Sequence, residues 1–217
     1  MWSSVEEDFA KILSTRVFHT LADDSGYVEI FRKAGFKGKL PTDLSQAPAA
    51  VRRELNTATR MCAQLLRMDV ASKNSLRERR AKAVVIEGPA TLYRLWSSKD
   101  RNRIGPWWFT AHLLQEALAQ CKNDRGKAKE WLRDRLAISL DFGSGDRVAA
   151  LNLGISSAVP AIEAWGLPMP QYTPKALEKD PGIPLPEYFS KRRQSFQGEK
   201  TQYFLPFVPV SRVAEHW

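Results

Sequence analysis

The chain has 217 residues, 43% of them apolar, with an excess of nine positive charges and a pI near 9.7. That is an ordinary globular composition, long enough to bury the core of one domain, or of a small helical domain plus a compact second one. No run of about 18 apolar residues marks a membrane span, and the start MWSSVEEDFA is acidic where a secretory signal would be basic, so neither an anchor nor export by a cleaved signal is expected.

Residues 1 to about 21 read as a helix, with Ser3 or Ser4 as cap, Glu6, Glu7 and Asp8 in the first turn, and Phe9, Ile12, Leu13 and Val17 on one side. Tyr27 to Leu40 is a short helix or strand around Val28, Ile30, Phe31 and Phe36. Asp43 or Ser45 caps a second long helix whose Val51, Leu55, Ala58, Cys62, Leu65 and Leu66 recur at three- and four-residue spacing. Arg52, Arg53, Arg60 and Arg67 lie mostly off that stripe, as a solvated face or a phosphate-facing surface. After the basic stretch Asn74 to Lys82 the helical spacing gives way to β-branched and alternating residues, which sets a boundary near residue 80.

Ala83–Glu87 and Thr91–Trp96 are strand candidates joined by a turn at Gly88-Pro89. Ser97 to Gly105 is a basic loop, and the pair Trp107-Trp108 opens onto a helix capped by Thr110, with Leu113, Leu114, Ala117, Leu118 and Cys121 on one face. A further helix after Asn123-Asp124 carries Ala128, Trp131, Leu132 and Leu136. Arg147–Leu153 reads as a strand between glycines. Residues 155–170 are apolar without a clear period, and the prolines from Pro168 to Pro186 predict a long loop or extended wrap. Gly198 to Pro206 returns to β composition, and Phe207–Val213 gives a further edge strand.

The two cysteines sit in helical apolar patterns without metal-ligand spacing, which predicts reduced buried thiols, and three scattered histidines argue against a zinc site. The positive charge suits an acidic partner: nucleic acid, a nucleotide, an anionic surface or an acidic neutralising protein. The phosphate loop, the nucleophile elbow, the paired helical histidines and the calcium loop are all absent from the sequence. Three islands join a polar residue to a strand or strand end: Leu92-Tyr93-Arg94, Gly105 to Thr110, and Gly198 to Tyr203. A strand arginine among apolar residues is either paired with a carboxylate such as Glu87 or receives an anion.

Taken together, these islands resemble the mono-ADP-ribosyltransferase-like superfamily, and within it the toxin domains at the ends of bacterial polymorphic and secretion-system effectors. The resemblance covers Ala83 to about Val213. It implies an ADP-ribosyltransferase-like catalytic domain, residues 81–217, built on a split β-core with helical insertions; with the helical N-terminal region, residues 1–80, read from the helical spacing, the expected fold is α+β. It also implies NAD as the substrate, cleaved between nicotinamide and ribose. Arg94 would hold the pyrophosphate with its planar fork of donors. Tyr93, Trp107 or Trp108 would stack on nicotinamide, Thr110 would support Arg94 or cap its helix, and Gln202 would accept from the ribose hydroxyls.

Where the family's last motif usually ends in glutamate, Gln202 orients a ribose but cannot serve as general base. Glu199, three residues earlier, would lie on the opposite strand face. The expected function is therefore an NAD-consuming, toxin-like transfer of ADP-ribose to a macromolecule, with nucleic acid as an acceptor suited to the basic surface. The alternatives are an NAD glycohydrolase toxin, which Gln202 favours, and a non-catalytic basic nucleic-acid-binding module in which Arg94 is structural. An acidic immunity protein is an expected partner, a membrane is not, and the place of action is the cytoplasm, including that of a target cell.

Overall fold

The computed structural model describes residues 2–15, 76, 80–98, 105–140, 145–155, 157–170, 172, 195–205, 208 and 212–217. The expected segment 27–40, the arginine-bearing helix with Cys62, the loop at 99–104 and the proline stretch 173–194 lie outside the described residues.

Helix α1 spans Trp2–Thr15, so Ser3 and Ser4 lie inside it and no acidic residue falls in its first turn, against the expectation from sequence. Its buried side chains, Val5 and Phe9, face inward as the helix packs on the edge strand β1 (Lys82–Glu87) and on β5 (Ala158–Trp165). The remaining strands are β2 (Ala90–Trp96), β3 (Trp107–Thr110), β4 (Arg147–Leu153), β8 (Thr201–Phe204) and β9 (Val213–Glu215). They form a seven-stranded sheet in the order β1-β5-β8-β3-β2-β4-β9, with every neighbouring pair antiparallel. A two-residue ladder joins β6 (Met169–Pro170) to β7 (Ser195–Phe196), at the two ends of the proline-rich stretch.

The fold is thus α+β with an antiparallel sheet. One expectation about the strands needs correcting. Residues 158–165, which lack a clear period, form an interior strand. Pro160 obscures it, yet Pro160 sits opposite Val85 of β1, where β8, which pairs only with Ile162 to Trp165, no longer lines the other side. A missing ladder donor costs little at such a place. Val213–Glu215 forms an edge strand on β4, while most of the expected stretch Phe207–Val213 lies outside the described residues.

The sheet divides at β3. Trp107 and Trp108 pair with Phe204 and Tyr203 of β8, whereas Phe109 and Thr110 pair with Tyr93 and Leu92 of β2. One face of the division holds an apolar core from both halves, with Leu92, Ala149 and Leu151 from one and Trp108, Val159 and Ala161 from the other. The other face is covered by α2 (Ala111–Gln120) and α3 (Arg125–Arg135), whose Leu113, Leu114, Ala117, Ala128 and Leu132 pack on Leu95, Phe109 and Val148. Thr110 caps α2 by accepting from Leu113 N at 3.3 Å, and Asp124 caps α3 by accepting from Lys127 N at 3.1 Å. Cys121, at the end of α2, is in no disulfide and is half buried, packed against the core under the helices.

The C-terminal end of α3 fixes the turn that leads into β8. Gly198 N donates to the Asp134 carbonyl at 3.1 Å and Gln197 N to the Asp134 carboxylate at 3.1 Å. Gly198 has φ 65°, and a Cβ there would lie 2.7 Å from the Gly166 carbonyl oxygen. Gly198→Ala therefore combines left-handed backbone strain with a backbone clash, and a loss of about 2 kcal/mol or more is expected in urea unfolding; unchanged stability would show that the turn is not held as described.

Candidate functional site

Strand alternation sends Leu92, Arg94 and Trp96 to one face of β2 and Tyr93 and Leu95 to the other. The contacts agree: Leu92 and Trp96 belong to the core between the half-sheets, and Tyr93 and Leu95 to the core under the helices. Arg94 therefore stands beside the seam, where β3 leaves β2. Its Nη1 donates to the Trp107 carbonyl at 3.2 Å. Gly105 lies against the guanidinium so closely that a Cβ on it would be 2.4 Å from Arg94 Cζ, and Trp108 Nε1 locks this loop by donating to the Gly105 carbonyl at 2.7 Å.

Burial lowers the Arg94 pKa to about 10, so the group remains a cation at neutral pH. Among the described residues no carboxylate pairs with it, and its Nε–H is buried without an acceptor. Glu87, at the end of β1, lies opposite Ala158, whereas Arg94 lies opposite Ala149, and no ion pair joins the two. Of the two sequence readings, the one in which Arg94 receives an anion is what this surrounding suits.

The other sequence-chosen residues divide between the faces. Trp107 is half buried, edge-on to Phe204 with ring centroids 5.1 Å apart. Trp108 is 1% exposed and offers no ring face to a ligand. Tyr93, on the helix face, packs on Phe109 and on His216, centroids 4.8 Å apart; burial, then the charge of Arg125, holds that histidine below its ordinary pKa. Gln202 is buried on the helix face as well, its Nε2 donating to the Leu136 carbonyl at 2.6 Å. Trp108 pairs with Tyr203 and Phe109 with Tyr93, so Gln202 and Arg94 leave their strands on opposite faces. Glu199 is exposed in the turn before β8, with φ 70°, and is not yet part of the strand.

Two polar features on the face of Arg94 escaped the sequence reading. Trp96, two residues beyond Arg94, also carries a buried Nε1–H without an acceptor among the described residues; only its i+2 spacing from the arginine could have marked it. Tyr203 is the second. Burial first, then the charge and hydrogen bond of Glu163, push its pKa up to about 12, and Glu163 is held in turn by Lys82 at 3.1 Å. No residue motif announces a pair made by strand register.

No protein-family model matches the sequence, and no curated protein does. Among solved structures the chain is similar to Rhs1-CT in its complex with the cognate immunity protein RhsI1. The two are 13% identical, and the match covers 63% of this chain and 77% of that one at a TM-score of 0.36, too loose a superposition to carry an argument about function.

Two measurements test the site's frame. Gln202→Glu sets a carboxylate against the Leu136 carbonyl and removes the donor, so about 2–3 kcal/mol of stability at pH 7 is expected to be lost, read as a lowered Tm. Because the folded pKa of Tyr203 lies above its unfolded value of 10, its contribution to stability is fully present below pH 10 and is lost as pH rises through about 12. The stability of Tyr203→Phe should therefore gain on that of the wild type between those limits; parallel curves would show that the phenol is not shielded.

Proposed function

We propose that the chain is an NAD-consuming enzyme that transfers ADP-ribose to a macromolecular acceptor, with Arg94 gripping the dinucleotide's diphosphate. The observation that carries this reading is the Arg94 niche: a half-buried cation with a buried, spare Nε–H and no carboxylate among the described residues, placed where the sheet divides into halves. A split β-core is also what the resemblance to ADP-ribosyltransferase-like toxin domains implies. The residues at Arg94 fit an anionic group, since a diphosphate oxygen supplies the acceptor that Nε lacks.

In this reading the bond between nicotinamide and ribose breaks and ADP-ribose passes to an acceptor nucleophile, whose proton goes to water. Trp107 lends only its backbone carbonyl to Arg94; its ring lies with Phe204 on the helix face, as Tyr93 does, so neither ring stands beside the guanidinium. Gln202 enters on the orientation of its amide. With Nε2 committed to Leu136, its Oε1 is the end left to accept from a hydroxyl, and among the described residues nothing donates to it. As an amide it cannot take a proton from the acceptor, which favours acceptors that need little activation, or water.

A second reading, a non-catalytic nucleic-acid-binding module that grips phosphate with Arg94, is favoured by the separation of Arg94 and Gln202 onto opposite faces. Nicotinamide release from NAD by purified protein decides between them. The enzyme reading expects release that falls at least about 100-fold in Arg94→Ala, with Gln202→Ala also depressed. No release from wild type under varied conditions sinks it, while a salt-sensitive oligonucleotide shift abolished by Arg94→Ala supports the binding module. Label from NAD fixed on RNA, DNA or protein in a lysate marks transfer; free ADP-ribose alone marks hydrolysis.

A further inference from the structure

Arg94 and Trp96 share a face of β2, and each holds a buried N–H that finds no acceptor among the described residues, the guanidinium Nε and the indole Nε1. Two orphan donors two residues apart on one strand face are a different matter from one. Each unmet donor costs roughly 1–3 kcal/mol, and ladder register puts no other acceptor there. Arg94 lies opposite Ala149, which has no polar side chain, and Trp96 lies opposite Arg147, which is itself a donor.

Arg147 is already answered, by Glu215 at 3.0 Å and Asp146 at 3.7 Å. Among the described residues the carboxylates Asp146 and Glu215 near this end of β2 are therefore engaged elsewhere, Asp146 also accepting from Ser98 N at 3.1 Å and from Ser98 Oγ at 2.7 Å. What remains is a cation and a neutral donor, both facing the core between the half-sheets.

We infer that Trp96 is a second ligand-binding residue of the Arg94 niche, its Nε1–H donating to the same anion that Arg94 holds. Resting on the reading given under Proposed function, this narrows the ligand to one with oxygens on two linked phosphates. Positions two apart on a strand are separated by about 6.6 Å, a span that a diphosphate covers better than a single phosphate does. The indole also discriminates by charge. It donates without adding a second cation, so the niche does not collapse onto a protein carboxylate.

The test is calorimetric binding of inorganic pyrophosphate and of ADP-ribose to wild type, Arg94→Gln and Trp96→Phe. The phenylalanine keeps an aromatic body and removes only the donor. Loss of one hydrogen bond to a charged group predicts about 10-fold weaker binding of both ligands, with no loss of Tm in the free protein because an unmet donor has gone. Phosphate should bind wild type more weakly than pyrophosphate and be less affected by the substitution. Should Trp96→Phe fold poorly, the wild type supplies the readout. One of its seven indole N–H signals must shift on titration with pyrophosphate, and none shifting overturns the assignment.

Equal affinities in wild type and Trp96→Phe overturn it too, as does wild type that binds neither ligand. The enzyme reading fails separately. Pyrophosphate binding weakened by Trp96→Phe, in a protein that releases no nicotinamide, leaves the two-donor site standing and removes the enzyme. Conversely, NAD cleavage by Trp96→Phe with wild-type KM removes Trp96 and leaves the enzyme.

Discussion

Strand β3 is four residues long, and its pairing is shared in half: two residues serve β8 and two serve β2. This constraint governs the rest of the structure. Because neither neighbour is paired along the full length of β3, the sheet parts on both sides of it, and each parting must be filled. On the β2 side the filling is the Arg94 guanidinium, pressed on Gly105 and bonded to the Trp107 carbonyl. Trp108 serves both needs at once, burying its ring in the core between the halves and using its one donor to fix the Gly105 carbonyl. A residue that only packed, such as leucine, would leave that carbonyl to find another partner.

The opposite side of β3 depends on the end of α3. The last carbonyls of a helix have no partner within it, and here three groups come to that end from outside: Gly198 N, Gln197 N and the Gln202 amide. Lys200 adds an ion pair to Glu116 of α2 at 2.6 Å, with its ammonium 5.9 Å from the centre of the Trp131 ring. The turn into β8 is thus positioned by the helical layer, and the orientation of Gln202 is inherited from a helix terminus. A glutamate could not make this bond, because an ionised carboxylate has no proton to donate to Leu136. Glutamine at this position is therefore tied to the helix terminus, whatever chemistry the residue performs.

Much of the fold was legible because its signals are local. The two valines and an isoleucine of β1, the alternation in β2 and the caps Thr110 and Asp124 each state their element within a few residues, and the structure shows those elements. Strand β5 was hidden by Pro160, whose tolerance depends on where a strand distant in sequence stops pairing. The site was less legible for the same reason. Arg94 stood out as a charge in an apolar strand, but the relative faces of Arg94 and Gln202 follow from two strand registers that meet on β3, and no motif spacing encodes them. Tyr93 and Arg94, adjacent in sequence and joined there as one island, are separated by the alternation of the strand itself.

The energetics of Arg94 say why such a residue persists. Desolvating a cation costs several kcal/mol even after relaxation, and one bond to a backbone carbonyl returns about 1.5–3 kcal/mol of that. With Nε unmet and no carboxylate among the described residues, the balance is unfavourable against a domain stability of about 5–15 kcal/mol. An apolar side chain at the same place would stabilise the fold, since the neighbours Leu92, Trp108 and Ala149 are already apolar and buried. Stability alone therefore does not account for the arginine. An anion that enters the niche supplies the missing acceptor and the missing charge together, so its binding energy includes the relief of a cost already present in the free protein. An arginine that costs stability in the free protein would recover that cost only where an anion meets it, the pattern expected where function is kept at the expense of stability.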